Sequence, residues 1–283
     1  MPAAPPTPPS PPAQGLLSAA LARWRELPEE RRGVALVIAF AGLVFLPWLG
    51  AVGLWDPWEP HYAEVARQMI VRDDYVYPYW ENAYFFSKPV LLLWMDALAM
   101  NAIGALTRAL PPGSLPGGPT PSGLSLYTEW AIRLPVAFLA VLACALTFVA
   151  SSRLVSRRAG YLSAMALATM PFYFLMARQA ITDLPFVALM TCGTMCFAIA
   201  LWDEAAHGRA WAYAGYAFLA FATLAKGLLG FGLTGATFLA WFAITGEWRL
   251  LPRLRLLERV RGWPLPIGPI LFLAIAAPWY LAL

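Results

Sequence analysis

Three cysteines in 283 residues, with no second ligand pair beside them, leave nothing from which to assemble a zinc site. Cys144, Cys192 and Cys196 all fall inside apolar runs and read as small core residues, Cys192 and Cys196 sharing one helix face. Charge is scarce too. Charged residues make up 13% of the chain and hydrophobic ones 60%, and the mean hydropathy is +0.60. A soluble domain carries about a quarter charged residues, so that class is excluded. A cleaved signal peptide is also missing, because the first apolar run is too long and lacks a small-residue cleavage site. The net charge of +4 gives no case for nucleic acid, since the arginines are distributed by another rule.

What the chain does have is long hydrophobic stretches. Runs near the ~20 residues needed to cross a bilayer recur at 34–54, 131–150, 160–177, 184–201, 211–225, 228–245 and 264–283. This is the pattern of an all-α, multi-pass helical integral membrane protein. The arginines orient it. Arg23, Arg25, Arg31 and Arg32 precede the first span, and Arg153, Arg157 and Arg158 follow the second. Arg209 follows the fourth, and Arg249, Arg253, Arg255, Arg259 and Arg261 follow the sixth. The positive-inside rule places these in the cytoplasm and the acidic 54–88 loop outside. The assignment requires that 89–104, short and carrying Asp96, lie along the interface without crossing.

Residues 1–32 then form a cytoplasmic tail, proline-rich and disordered over 1–13 and amphipathic over 16–32. Residues 33–283 form the membrane domain, with 54–130 as its outer region. In that region Pro60 suits a helix first turn, His61 to Val71 reads helical, and Asp73 and Asp74 end it. Residues 111–123 are turn-rich. The chain stops inside an apolar span, which points to a piece of a longer protein.

With this topology, ionisable residues from distant parts of the sequence share one depth at the outer face. They are Asp56 and Glu59, then Arg133, then Arg178 and Asp183, then Lys226, followed by Trp279 and Tyr280. Charges at that depth are costly unless they pair or line a watery cavity. Arg178 and Asp183 are placed either to tie a helical hairpin as an ion pair or to contact a substrate. Lys226 either snorkels to the surface or does the same. Carboxylates facing cations suit general-base or metal chemistry on one side and phosphate binding on the other. The loop aromatics Trp55, Trp58, Tyr62, Tyr75, Tyr77, Tyr79 and Trp80 suit sugar stacking or an interfacial belt.

The stretch D-P-W-E-P-H-Y-A-E-V-A-R-Q-M, Asp56 to Met69, resembles the outer-loop signature of polytopic lipid-linked-sugar glycosyltransferases. These include the protein O-mannosyltransferases and the aminoarabinose transferase that modifies lipid A. S-K-P-V-L-L-L-W from Ser87, A-I-R-L-P from Ala131, A-R-Q-A-I-T-D-L-P from Ala177, L-A-K-G from Leu224 and P-W-Y from Pro278 follow in the same order and spacing. The resemblance implies a GT-C-like fold and transfer of a sugar from a polyprenyl-phosphate donor to a lipid, glycan or protein acceptor. It implies a site on the outward, periplasmic face of the inner membrane.

The family's acidic pair falls on Trp58 and Glu59, so its first acid is missing here. Asp56 then substitutes, and Asp56 and Glu59 jointly are the expected catalytic carboxylates. Lys88 matches the lysine that faces the lipid phosphate. Glu64, Arg133, Arg178, Asp183 and Lys226 are expected around the substrate. A divalent metal on Asp56 and Glu59 is one option for stabilising the leaving phosphate. Two other readings remain open: a flippase for lipid-linked intermediates, and a family member without catalysis.

Overall fold

The computed structural model describes residues 13–109, 128–205, 207–260 and 263–283. Residues 1–12 of the proline-rich start and the turn-rich 111–123 lie outside them.

A helix forms at each of the seven apolar stretches. α1 (Ala13–Glu26) precedes α2 (Glu29–Phe45), the first of them. The outer region follows as α3 (Trp58–Arg72), a hairpin of β1 (Tyr79–Trp80) and β2 (Ala83–Tyr84), and α4 (Leu91–Ala109). α5 (Thr128–Leu154), α6 (Arg157–Thr169), α7 (Pro171–Met176), α8 (Asp183–Trp202), α9 (Gly208–Lys226) and α10 (Leu229–Thr245) come next. A 3-10 turn at Trp248–Leu254 and a hairpin of β3 (Glu258–Val260) and β4 (Trp263–Leu265) lead to α11 (Ile267–Ala282). Of these, α5 over Glu129–Leu154 and α8 are long and apolar enough to cross a membrane by length and composition.

Two expected spans differ in detail, and proline explains both. The first helix ends at Phe45 rather than running to residue 54, because Pro47 lacks the N–H needed to continue it. The chain then turns, with Trp48 in the left-handed region at φ 52°. The third span is two helices. Met170 is extended (ψ 122°) because the ring of Pro171 disfavours helical geometry in the residue before it, and Pro171 opens α7.

The core sits on α5, α8 and α9. α8 is buried around most of its circumference, as expected of a helix that is apolar on every side. α8 and α9 approach closely through small residues: a Cβ on Gly193 would lie 3.2 Å from the Gly215 carbonyl. At one end of the bundle Arg153 holds Glu30 (2.8 Å) and Asp203 (3.1 Å), joining α2, α5 and the end of α8. The other end carries the outer region.

Candidate active site

α3 is the platform of the site. It stops where the sequence places its end: Asp73 adopts the left-handed conformation (φ 50°, ψ 37°) that Asp tolerates, and the Asp74 carboxylate accepts from the N–H groups of Val76 and Tyr77. At its other end Glu59 is completely buried. Its carboxylate accepts from Arg133 Nε (2.9 Å) and Nη2 (2.6 Å), from the Ala180 N–H (2.7 Å) and from the Trp55 N–H (2.8 Å). A carboxylate has about four lone-pair sites, and all are filled.

Arg133 is equally committed. Besides Glu59, it donates to the carbonyls of Leu49 (2.9 Å), Val52 (2.7 Å) and Gly53 (2.9 Å). That accounts for all five guanidinium N–H donors. The pair therefore clamps four segments together: the turn after α2, the start of α3, the body of α5 and the turn before α8. The sequence expected Glu59 as a catalytic carboxylate or metal ligand and Arg133 as a substrate contact. The structure joins the two to each other, with no donor or acceptor to spare. Glu59 does not fit a metal ligand while four N–H groups occupy it. Among the described residues, no three His, Cys, Asp or Glu side chains converge in a metal-binding group.

Asp56, three residues before Glu59, is exposed. Among the described residues, its carboxylate has no ion-pair or hydrogen-bond partner. Lys88, half-buried just ahead of α4, is also unpaired. Glu64 sits farther along α3 in a two-point contact with Arg67 (2.6 and 2.5 Å) and one with Gln68 (2.8 Å). The Arg67 hydrogen bonds hold its carboxyl below the ordinary range, so it braces the helix.

Asp183 pairs with Lys226 at 2.5 Å rather than with Arg178. It opens α8, which aims it at the end of α9, while Arg178 lies back against α2 and donates to the Phe45 carbonyl (2.8 Å). Burial and the nearby Arg133 lower the pKa of the Arg178 guanidinium. Tyr62 on α3 stands against Thr182 and near Asp183, and burial raises its phenol. Tyr280 donates to the Thr223 carbonyl (3.0 Å), which fixes α11 beside the end of α9.

Some contributors had no sequence signal. The carbonyls of Leu49, Val52 and Gly53 and the N–H of Ala180 are main-chain groups. His61 packs among Tyr62, Trp80 and Phe85, its ring centroid 3.9 Å from that of Trp80, and burial lowers its pKa. Trp279 and Tyr77, named from the sequence only as outer-face aromatics, bond to the main chain: Trp279 donates to the Val76 carbonyl (3.0 Å) and Tyr77 to that of Ala282 (2.7 Å), tying the outer loop to α11.

The outer-face residues thus fall into the Glu59–Arg133 clamp, the Asp183–Lys226 pair and the unpaired Asp56 and Lys88, around α3 and the ends of α8 and α9. A family profile described as dolichyl-phosphate-mannose-protein mannosyltransferase matches residues 123–280, more than half of the chain. The chain belongs to this family. It is 26% identical over 183 residues to the undecaprenyl phosphate-alpha-4-amino-4-deoxy-L-arabinose arabinosyl transferase of Yersinia enterocolitica, covering 64% of this chain and 29% of that protein. The protein of the same name from Yersinia pestis is 36% identical over 83 residues, 29% of this chain and 15% of its own length. The crystal structure of ArnT from Cupriavidus metallidurans bound to undecaprenyl phosphate superposes with a TM-score of 0.72 at 25% identity, over 88% of this chain and 41% of that one. The apo structure of the same protein matches equally. The chain therefore spans less than a third of the curated relatives and about two fifths of the solved one. Its fold is the multi-pass helical membrane fold of these glycosyltransferases, and it is an integral membrane protein.

Proposed function

We propose that this chain forms the catalytic membrane region of a glycosyltransferase. It moves a sugar from a polyprenyl-phosphate donor to a lipid, glycan or protein acceptor at the outward, periplasmic face of the inner membrane. One observation carries the assignment of roles: Glu59 and Arg133 saturate each other, and Asp56 is left as a free carboxylate on the same loop. Family membership and the likeness to a transferase solved with undecaprenyl phosphate support the donor class.

In this reading Asp56 is the general base. It takes the proton from the acceptor oxygen as that oxygen attacks the anomeric carbon. The bond from that carbon to the phosphate oxygen breaks, and polyprenyl phosphate leaves with the electron pair. Lys88, unpaired and half-desolvated, faces the charge that develops there. Arg133 and Glu59 are positioning residues that hold the Asp56 loop. The Asp183–Lys226 pair sets the ends of α8 and α9 beside Tyr62. No step is assigned to a metal, because Glu59 has no lone pair free for one.

The test is Asp56→Asn in the full-length protein. Transfer from a polyprenyl-phosphate sugar should fall by ~100- to 10,000-fold, the usual effect of losing a general base, with melting temperature and donor binding retained. Transfer at the wild-type rate would remove Asp56 from the chemistry. Movement of the donor across liposomes without any transfer would favour a flippase instead.

A further inference from the structure

The two outer-face arginines next to one another are in opposite condition. Arg133 has no donor free, and its charge is neutralised by Glu59. Arg178 spends one N–H on the Phe45 carbonyl, and among the described residues no carboxylate reaches it. The Phe45 bond caps the end of α2 and the guanidinium lies 5.4 Å from the centroid of the Phe174 ring, which accounts for one N–H and one face and leaves its other N–H donors without an acceptor among the described residues.

A cavity lies beside it. Arg178 lines a cavity of about 120 Å³ together with Trp48, Trp55, Phe174, Leu175 and Gln179. At about 30 Å³ per water molecule this is room for one tetrahedral anion. No acidic residue lines it. Its rim is aromatic and open: Trp48 is 80% exposed and Trp55 57%. Amphipathic rings of this kind sit at the headgroup level of a bilayer. A half-desolvated cation without a counter-charge at that depth is costly unless an anion arrives to meet it.

We propose that this cavity is an anion subsite, separate from Lys88, that takes the phosphate of a lipid headgroup lying in the interface beside Asp56. Trp55 lines the cavity and Asp56 is the next residue, so a lipid held there lies beside the turn that carries the carboxylate. The phosphate is either the donor's own or one carried by another lipid, the acceptor included. The inference rests on the geometry around Arg178 and does not require transfer to occur, so its failure would leave the transferase assignment standing.

Isothermal titration of the full-length protein in neutral detergent with dihexanoyl phosphatidic acid tests it, with dihexanoylglycerol as the uncharged control. The acid should bind saturably and the control should not. Arg178→Gln should raise Kd by about 10- to 100-fold, as expected for a lost charge-assisted hydrogen bond. Arg178→Lys, which keeps the charge but not the fork, should stay within about tenfold of wild type. Arg72→Gln, an exposed cation of the same outer region away from the cavity, should leave Kd unchanged. Should Arg178→Gln fail to fold, Leu175→Trp at the exposed rim blocks the cavity and should abolish binding. Polyprenyl phosphate added to the Lys88→Ala protein separates the sources: displacement assigns the cavity to the donor, and no displacement assigns it to another lipid. Wild-type affinity in both Arg178→Gln and Leu175→Trp, or equal loss in Arg72→Gln, overturns the subsite and leaves Arg178 as a helix cap only.

Discussion

Glu59 and Arg133, 74 residues apart in the chain, meet in a two-point ion pair that is closed to solvent and uses every polar atom of both groups. A carboxylate held this way has no lone pair left with which to reach an acceptor hydroxyl. The pair contributes geometry, and the chemistry passes to the exposed acid beside it.

Glu59→Gln should therefore act on stability first. Removing one partner of a buried ion pair leaves an uncompensated charge and costs roughly 3–5 kcal/mol. Thermal unfolding in detergent should show the drop, in contrast to Asp56→Asn. The double replacement Glu59→Leu with Arg133→Met, which leaves no orphan charge, should recover part of it. A Glu59→Gln protein as stable as wild type but unable to turn over would return Glu59 to the chemistry.

Lys88 gives the opposite pattern. Among the described residues it has no ion-pair partner to lose, so Lys88→Ala should not change the melting temperature. Donor binding should weaken by about 2–3 kcal/mol, or roughly 30- to 150-fold in Kd, as for a charged partner lost from a desolvated site. Unchanged affinity for a polyprenyl phosphate in purified protein would take Lys88 out of the site.

The helix contacts are testable without substrate. A Cβ on Gly160 would lie 2.8 Å from the main-chain carbonyl of Phe148 and would also meet Ser152. The carbonyl belongs to the interior of α5 and cannot step aside. Gly160→Ala should destabilise by about 1–3 kcal/mol, the usual cost of overpacking, although alanine favours a helix. A protein with an unchanged melting temperature would mean that α5 and α6 pack less closely than described.

Topology can be read with introduced cysteines, since all three natural ones are buried. Asn101, exposed on α4, should be labelled as Asn101→Cys by an impermeant maleimide in intact cells. Arg249, whose side chain is 80% exposed, should be labelled as Arg249→Cys only after permeabilisation. The reverse result would invert the protein.

Much of this architecture is written in the order of the residues, because a long apolar run has few alternatives to a helix. The end of α3 at Asp73 was legible for a similar reason, since Asp tolerates the left-handed turn. The break at Pro171 was hidden by hydropathy, which counts proline as neutral while its ring decides the geometry. The site was legible as a set of outer-face charges but not as pairs. Asp183 chose a partner 43 residues away over one five residues away, and only the direction of α8 explains that choice. The role of Glu59 depended on main-chain groups that carry no signature at all.

The bonds from Trp279 to Val76 and from Tyr77 to Ala282 have a consequence for the order in which the protein is made. They reach across 203 and 205 residues. The loop that carries Lys88 leaves the ribosome early, and its first anchor, Arg133, follows soon after. Its last anchor is α11, so the Val76 carbonyl and the Tyr77 hydroxyl wait for residues more than two hundred positions later before they meet their partners. Until then the hairpin is held only by its contacts with α3 and α4, among them Arg72 over Tyr79 and the Trp94 bond to the Tyr75 carbonyl. A competent site is thus a late product of synthesis, although nearly all of its reactive groups are among the first to be made.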